Sequence, residues 1–267
     1  MKIALVQLNA GPDKKDNFRR AFAFIEKAIS RQAKWILLPE VFNYRGDLTQ
    51  PENFKSVAEK IPGQTTQILA GLARQARVSI LVGSMIEQTP SKNKAYNTSV
   101  LINEQGEIAA TYRKIHLFDA QIAKTALRES RVFIAGKKPV TSRVGAFKVG
   151  MSVCYDLRFP ELYQSYRKRG VDVLTVPASF TQFTGRVHWE VLLRARAIEN
   201  QCYVLAPNQV GQDGRGVVTH GHSMVVSPWG EILAQASSDK EEIIYARLSL
   251  EEIEKSQKIL PGFRKIP

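Results

Sequence analysis

The segment up to Pro39 constrains the fold most. M-K-I-A-L-V-Q-L-N-A reads as a strand, and D-N-F-R-R-A-F-A-F-I-E-K-A-I-S follows with Phe18, Phe22, Ile25 and Ile29 recurring on one side of a helix. W-I-L-L-P then returns as a second strand, so the chain opens on a βαβ unit, which demands parallel strands with a helix laid against them. The alternation continues. T-T-Q-I-L-A-G-L-A-R-Q-A reads as a helix with a threonine cap, S-I-L-V-G-S-M as a strand, and N-T-S-V-L-I-N-E-Q-G-E-I-A-A-T-Y as a hairpin around a glycine turn.

The second half repeats the plan. Its strands are F-K-V-G-M-S-V-C, V-D-V-L-T-V-P and C-Y-V-L-A-P, its helices P-E-L-Y-Q-S-Y-R-K-R and H-W-E-V-L-L-R-A-R-A-I-E-N, and its hairpin G-H-S-M-V-V-S-P-W-G-E-I-L-A-Q-A. Two halves that both end in G-E-I hairpins predict two sheets packed face to face with helices outside. A chain of 267 residues can bury the core of one large α/β domain over residues 1–267, and no Pro/Gly/Ser-rich linker divides it.

Composition narrows the function classes. The N-terminal apolar stretch is too short to span a bilayer and lacks a signal-peptide cleavage pattern, which predicts a cytoplasmic protein with no membrane association. Two cysteines, Cys154 and Cys202, exclude a disulfide scaffold, and Cys202 at the head of C-Y-V-L-A-P is assigned to the core. The formal net charge of +13 comes from lysines and arginines scattered among acids. No aromatic-interleaved basic stripe is present, so a basic enzyme whose potential recruits an anionic substrate is expected, with no nucleic-acid partner. His220 and His222 form H-G-H without further ligands, and no phosphate loop or dinucleotide fingerprint occurs, so neither metal nor cofactor is expected. His116 and His188 are assigned to internal hydrogen bonds.

Cys154 is the strongest chemical signal. It closes F-K-V-G-M-S-V-C and opens Y-D-L-R-F-P-E-L-Y, a turn into a helix. A thiol at such a corner stands at the C-terminal end of a sheet, where the next backbone N–H and the helix start favour both a thiolate and the oxyanion its attack creates. Alone, it could equally be a small residue finishing a buried strand. Glu40 ends W-I-L-L-P-E and alone would suit a solvated position past a strand; Lys114 in Y-R-K-I-H alone would suit a surface charge.

Together, L-L-P-E, Y-R-K-I-H and C-Y-D-L-R-F-P-E-L resemble the three catalytic segments of the nitrilase, or carbon–nitrogen hydrolase, superfamily, in the same order and at similar spacing from Lys2 to about Phe263. The resemblance implies an α/β fold, a four-layer α-β-β-α sandwich. It implies Cys154 as nucleophile, Glu40 as general base, and Lys114 with the backbone N–H of Tyr155 as oxyanion donors. Glu129 in R-E-S-R matches the family's second glutamate, although the loop D-A-Q-I-A-K-T-A-L before it is slightly shorter than in relatives.

Tyr155-Asp156 stands where nitrile-cleaving members carry Trp-Glu, which implies an amidase. P-A-S-F-T-Q-F-T-G-R-V-H-W-E and G-H-S-M-V-V-S-P-W-G resemble the deaminated-glutathione amidase and omega-amidase branches, with W-E-V-L-L-R-A-R-A-I-E-N-Q-C-Y favouring the former. The implied substrate is a small-molecule side-chain amide of an alpha-keto acid, releasing cysteinylglycine or ammonia. Arg158 is a candidate for its carboxylate, or else forms an internal salt bridge to Glu161 or Asp156. Phe180 and Thr184 are implied as an apolar wall and a hydroxyl donor. Arg186 departs from the relatives' proline, and L-P-G-F-R-K-I-P ends without their longer tail. A homodimer or higher homo-oligomer is implied, built on the helices at 160–169 and 188–200.

Overall fold

The computed structural model describes residues 1–91, 93–122 and 125–261. The N-terminal βαβ unit forms from β1 (Lys2–Gln7), α1 (Lys14–Ser30) and β2 (Trp35–Leu37), with the two strands parallel. Asp13 starts α1 by accepting the amides of Lys15 and Asp16 at 2.9 and 3.0 Å, two of the donors that a helix start leaves open. The buried side of α1 is Asn17, Ala21, Ile25 and Ala28 rather than the expected row through Phe18, Phe22 and Ile29. Small residues at the contact let the helix approach the sheet closely, and the half-buried phenylalanines fill its flank.

α2 (Pro51–Val57) and α3 (Gln64–Ala76) lead to β3 (Ser79–Gln88), and β4 (Ala95–Ile102) and β5 (Ile108–Arg113) form the hairpin around Gly106. The α3 cap differs from the threonine predicted. Gly63 is the cap residue, and Thr66 Oγ1 reaches back to accept its amide at 2.9 Å. The stretch before Glu129 is not a plain loop but a hairpin of β6 (Asp119–Ile122) and β7 (Thr125–Arg128), of which Ala123 and Lys124 lie outside the described residues.

The second half comprises β8 (Val140–Val144), β9 (Phe147–Met151), α4 (Pro160–Lys168), β10 (Val173–Thr175), α5 (Gln182–Asn200) and β11 (Tyr203–Ala206). β12 (Val210–Gln212) pairs with β13 (Val218–His220), and β14 (Met224–Val226) with β15 (Ile232–Gln235). β16 (Glu242–Arg247) and α6 (Leu250–Ile259) follow, while the Gly262–Pro267 part of the C-terminal ending lies outside the described residues. α5 starts at Gln182, ahead of the predicted His188, and β9 stops at Met151, so Cys154 lies beyond the strand proper.

Two six-stranded sheets result, ordered β16-β1-β2-β3-β4-β5 and β15-β14-β11-β10-β9-β8. Strand periodicity explains their packing. Ile3, Leu5, Trp35, Leu37 and Leu81 face inward onto Val149, Met151, Val173 and Leu205, whereas the alternate residues Ala4, Val6, Ile36 and Ile80 pack under Ala21, Ile25, Leu69 and Ala73 of α1 and α3. Tyr163, Tyr166, Trp189 and Leu193 of α4 and α5 join the core on the other sheet, completing α-β-β-α layers. The inner strands β2, β9 and β10 end on one side, and their C-terminal continuations carry Glu40, Cys154 and Ser179.

Candidate active site

Glu40 follows β2 through L-P. β3 presses so closely on this segment that a Cβ at Gly83 would lie 1.9 Å from the Leu38 carbonyl oxygen, so only glycine fits there. The carboxylate is buried and fully engaged: Oε1 accepts from Lys114 Nζ at 2.8 Å and Asn97 Nδ2 at 2.9 Å, and Oε2 accepts the Ser179 amide at 2.8 Å. Its charge also acts on Cys154, which lines the same cavity. Burial opposes its ionisation, but the charge and hydrogen bond of Lys114 outweigh burial and hold the carboxyl below the usual carboxylate range.

Lys114 directly follows β5, buried, with its amide on the Asn97 carbonyl at 2.9 Å. Its ammonium lies 2.8 Å from Glu40 and 2.8 Å from Glu129 Oε2. Glu129 Oε1 also lies 3.0 Å away, and since an ammonium has three donors, one given to each carboxylate leaves the third for a ligand. Burial works against the charge; Glu129 and Glu40 overcome it and raise Lys114 well above its ordinary range. Glu129 Oε2 also accepts the Phe118 amide at 2.8 Å, which ties the β6–β7 hairpin to the site. Burial raises the Glu129 carboxyl, and Lys114 opposes that only in part. Two carboxylates sharing one cation are thus driven apart in proton affinity, the arrangement that separates acid–base roles.

Cys154 adopts φ +48°, the left-handed region that costs a non-glycine residue roughly 1–2 kcal/mol. Its amide donates to the Pro177 carbonyl at 2.9 Å, and a short 3-10 turn over Cys154–Arg158 precedes α4. Asp156, wholly buried, fixes this turn. It accepts the Val153 amide at 2.8 Å, the Tyr112 phenol at 2.7 Å and the His116 amide at 3.0 Å, with His116 Nδ1 at 2.7 Å. The residues flanking Lys114 are thereby bonded to the turn that carries Cys154. Burial and then the Glu40 charge push the thiol well up, with Lys114 opposing, so the resting sulfur is a thiol beside a carboxylate.

Sequence reading thus names four residues, Glu40, Lys114, Glu129 and Cys154, that converge here. It misses Asn97, Ser179 and Asp156. Asn97 and its neighbours Thr98 and Ser99 are buried polar residues inside β4, a break in an apolar strand that would have been the signal; Ser179 acts through its backbone and carries none.

Phe118, Tyr155, Arg158, Phe180 and Thr184 line a narrow slot of about 20 Å³ that reaches Cys154. Arg158 makes no salt bridge to Glu161 or Asp156 among the described residues. Its guanidinium donates to His188 Nδ1 at 3.1 Å and lies over the rings of Phe180 and Tyr155, 5.2 and 5.7 Å from their centroids. Since arginine only donates, His188 is the acceptor. Thr184 Oγ1 is 2.8 Å from Thr181 Oγ1, and Arg186 is exposed on the first turns of α5. Adjoining the slot at Phe118, Cys154, Ser179 and Thr181 is a cavity of about 510 Å³ that Glu40 and Glu129 also line, within the usual size of small-molecule sites. His220 and His222 stack at 4.3 Å, and among the described residues no group of three or more His, Cys, Asp or Glu could hold a metal ion. No helix there is long and apolar enough to cross a membrane.

A thiol, a base that can take its proton, and a cation with a free donor can together add sulfur to an acyl carbon and hold the resulting oxyanion. Comparison with known proteins agrees. The carbon-nitrogen hydrolase family matches residues 2–258. Omega-amidase NIT2 of Homo sapiens is 38% identical over 265 residues, covering 99% of this chain and 94% of that protein. A protein of Synechocystis sp. named deaminated glutathione amidase is 38% identical over 265 residues, covering 98% and 96%. The crystal structure of Saccharomyces cerevisiae Nit3, a member of branch 10 of the nitrilase superfamily, matches with a TM-score of 0.89 and 36% identity, covering 99% of this chain and 96% of that one. The chain belongs to the carbon–nitrogen hydrolase family of the nitrilase superfamily, hydrolases of carbon–nitrogen bonds with this α-β-β-α fold.

Proposed function

We propose that the protein is a thiol amidase that hydrolyses the side-chain amide of a small alpha-keto acid, with deaminated glutathione as substrate and alpha-ketoglutarate and cysteinylglycine as products. The observation that carries this reading is the buried Glu40–Lys114–Glu129 cluster, whose two carboxylates line one cavity with Cys154. Glu40 takes the Cys154 proton as sulfur bonds to the amide carbon. The oxyanion lies between the third donor of Lys114 and the Tyr155 amide. Collapse breaks the carbon–nitrogen bond, and Glu40 returns its proton to the leaving amine. Water, deprotonated by Glu40, then cleaves the thioester and restores the thiol. Glu129 holds Lys114 in register. Arg158, with Phe180 and Thr184, binds the alpha-keto carboxylate in the slot.

The human relative's name favours a second reading, an omega-amidase acting on alpha-keto-glutaramate with ammonia as leaving group. The test is kcat/KM for deaminated glutathione, alpha-keto-glutaramate, intact glutathione and simple aliphatic amides. One of the first two should exceed glutathione by at least about tenfold, because the slot offers no partner for an extra ammonium. Equal or faster cleavage of an aliphatic amide contradicts the substrate assignment.

The reading includes a homodimer in the cytoplasm. Phe183, Val187 and Val191, each about two-thirds exposed, form a row with Ile198 on α5, and a second copy would cover them. Val191→Glu should convert a dimer measured by light scattering into a monomer; an unchanged mass would place the contact elsewhere.

A further inference from the structure

The large cavity at Cys154 has a cation in its wall that the proposed mechanism does not use. Arg45 is 2% exposed and lines the cavity, yet none of its three side-chain nitrogens makes a hydrogen bond to the described residues. Its neighbour Asp213 stands 3.6 Å away, too far for one. That carboxylate is occupied elsewhere: Oδ2 accepts from Arg215 Nη2 at 2.8 Å and Nε at 3.1 Å, and Oδ1 from the amides of Arg215 and Val217 at 2.8 and 2.9 Å. The Arg45 backbone is fixed, its amide on the Gly11 carbonyl and its carbonyl on the Gly214 amide at 2.9 and 3.0 Å. A buried guanidinium without hydrogen bonds is costly, and one in a cavity wall gains most from an anionic ligand brought against it there. At the rim, Arg128, Arg131 and Arg215 outnumber Asp47, which gives the entrance a positive balance.

Arg45 shares its cavity with Glu40 and Glu129, whereas Arg158, Phe180 and Thr184 line only the slot. Glu40, which hands its proton to the leaving amine, lines the large cavity and not the narrow slot of Arg158. The amine half of the substrate therefore departs toward Arg45. We propose that Arg45 anchors a carboxylate-binding subsite on the leaving-group side of Cys154, so that the preferred amides are those whose amine half itself ends in a carboxylate. This rests on the amidase reading and deepens it. Ammonia would leave the subsite empty, whereas a small peptide with a free C-terminus fills it.

The probes are deaminated glutathione and the same molecule with its glycine carboxylate replaced by a neutral carboxamide. Binding of each to the Cys154→Ala protein is measured by calorimetry, and kcat/KM for each on the unsubstituted enzyme. The carboxylate form should bind at least about tenfold more tightly, and the gap should fall below about threefold in Cys154→Ala/Arg45→Met, which removes the fork at similar volume. Equal affinity of the two probes for Cys154→Ala overturns the subsite even if Arg45→Met does not fold, and so does binding of neither. A gap that survives Arg45→Met overturns its assignment to Arg45. Hydrolysis of both probes at equal kcat/KM keeps the amidase and rejects the subsite; absence of hydrolysis with the binding gap intact rejects the amidase and keeps the subsite.

Discussion

Lys114 Nζ donates to Glu40 Oε1 at 2.8 Å, with both side chains shut off from solvent. Such a pair adds little net stability, since desolvating both ions offsets most of their attraction. Its value lies in fixing a base and a cation around one sulfur before substrate arrives. Removing the cation should therefore show in the chemical step. Lys114→Ala is expected to lower kcat on the order of a hundredfold or more, as loss of an oxyanion donor does. Steady-state kinetics check this, and a change confined to KM would make Lys114 a contact for substrate charge.

Glu40→Gln should separate two properties that usually move together. Burial and the Glu40 charge raise the Cys154 thiol while Lys114 lowers it, so removing that charge should bring the thiol down. Thiolate absorbance titrated against pH should shift to lower pH in Glu40→Gln, while kcat falls on the order of a hundredfold or more for want of a base. A thiol that titrates unchanged would mean that Glu40 does not act on Cys154.

The acid limb of kcat/KM follows from the same cluster. Glu40 must be ionised to act, and Lys114 holds it below the usual carboxylate range. Activity should persist as pH falls into that range and disappear only below it. An acid limb near neutrality would show that the working carboxyl is a raised one, as Glu129 is.

Asp156 links the Cys154 turn to Tyr112 and His116, and changing it tests positioning apart from chemistry. Asp156→Asn turns one acceptor oxygen into a donor facing donors, and should cost about 2–3 kcal/mol in denaturant unfolding. Tyr112→Phe removes one bond and should cost about 1 kcal/mol. In both, kcat should fall more than KM rises, because the turn at φ +48° loses its support. An unchanged kcat in Asp156→Asn would leave the turn supported by the Pro177 contact alone.

Residues whose side chains do the work are legible in the amino-acid sequence. Glu40, Lys114 and Cys154 stand at strand ends, where apolar runs meet single functional groups, and the two G-E-I hairpins mark two sheets. The pieces that are not legible depend on partners distant along the chain. β16 goes unread in the sequence, and only its pairing with β1 across the length of the protein makes it part of the sheet. Ser179 contributes an amide, which any residue but proline possesses. Arg45 looks like a loop cation in F-N-Y-R-G-D, and only the packing of Gly11 and Gly214 against its backbone shows it to be buried.

Every step of the proposed reaction passes through an acyl-enzyme on Cys154, and mass spectrometry of the intact protein quenched during turnover of deaminated glutathione is its sharpest test. A covalent adduct of the alpha-ketoglutaryl mass is expected on the peptide containing Cys154 and none on Cys202, with Cys154→Ala folded but retaining less than about a hundredth of wild-type activity. Cys154→Ala that still hydrolyses the amide at more than that fraction, with no adduct on the wild-type protein, would contradict it.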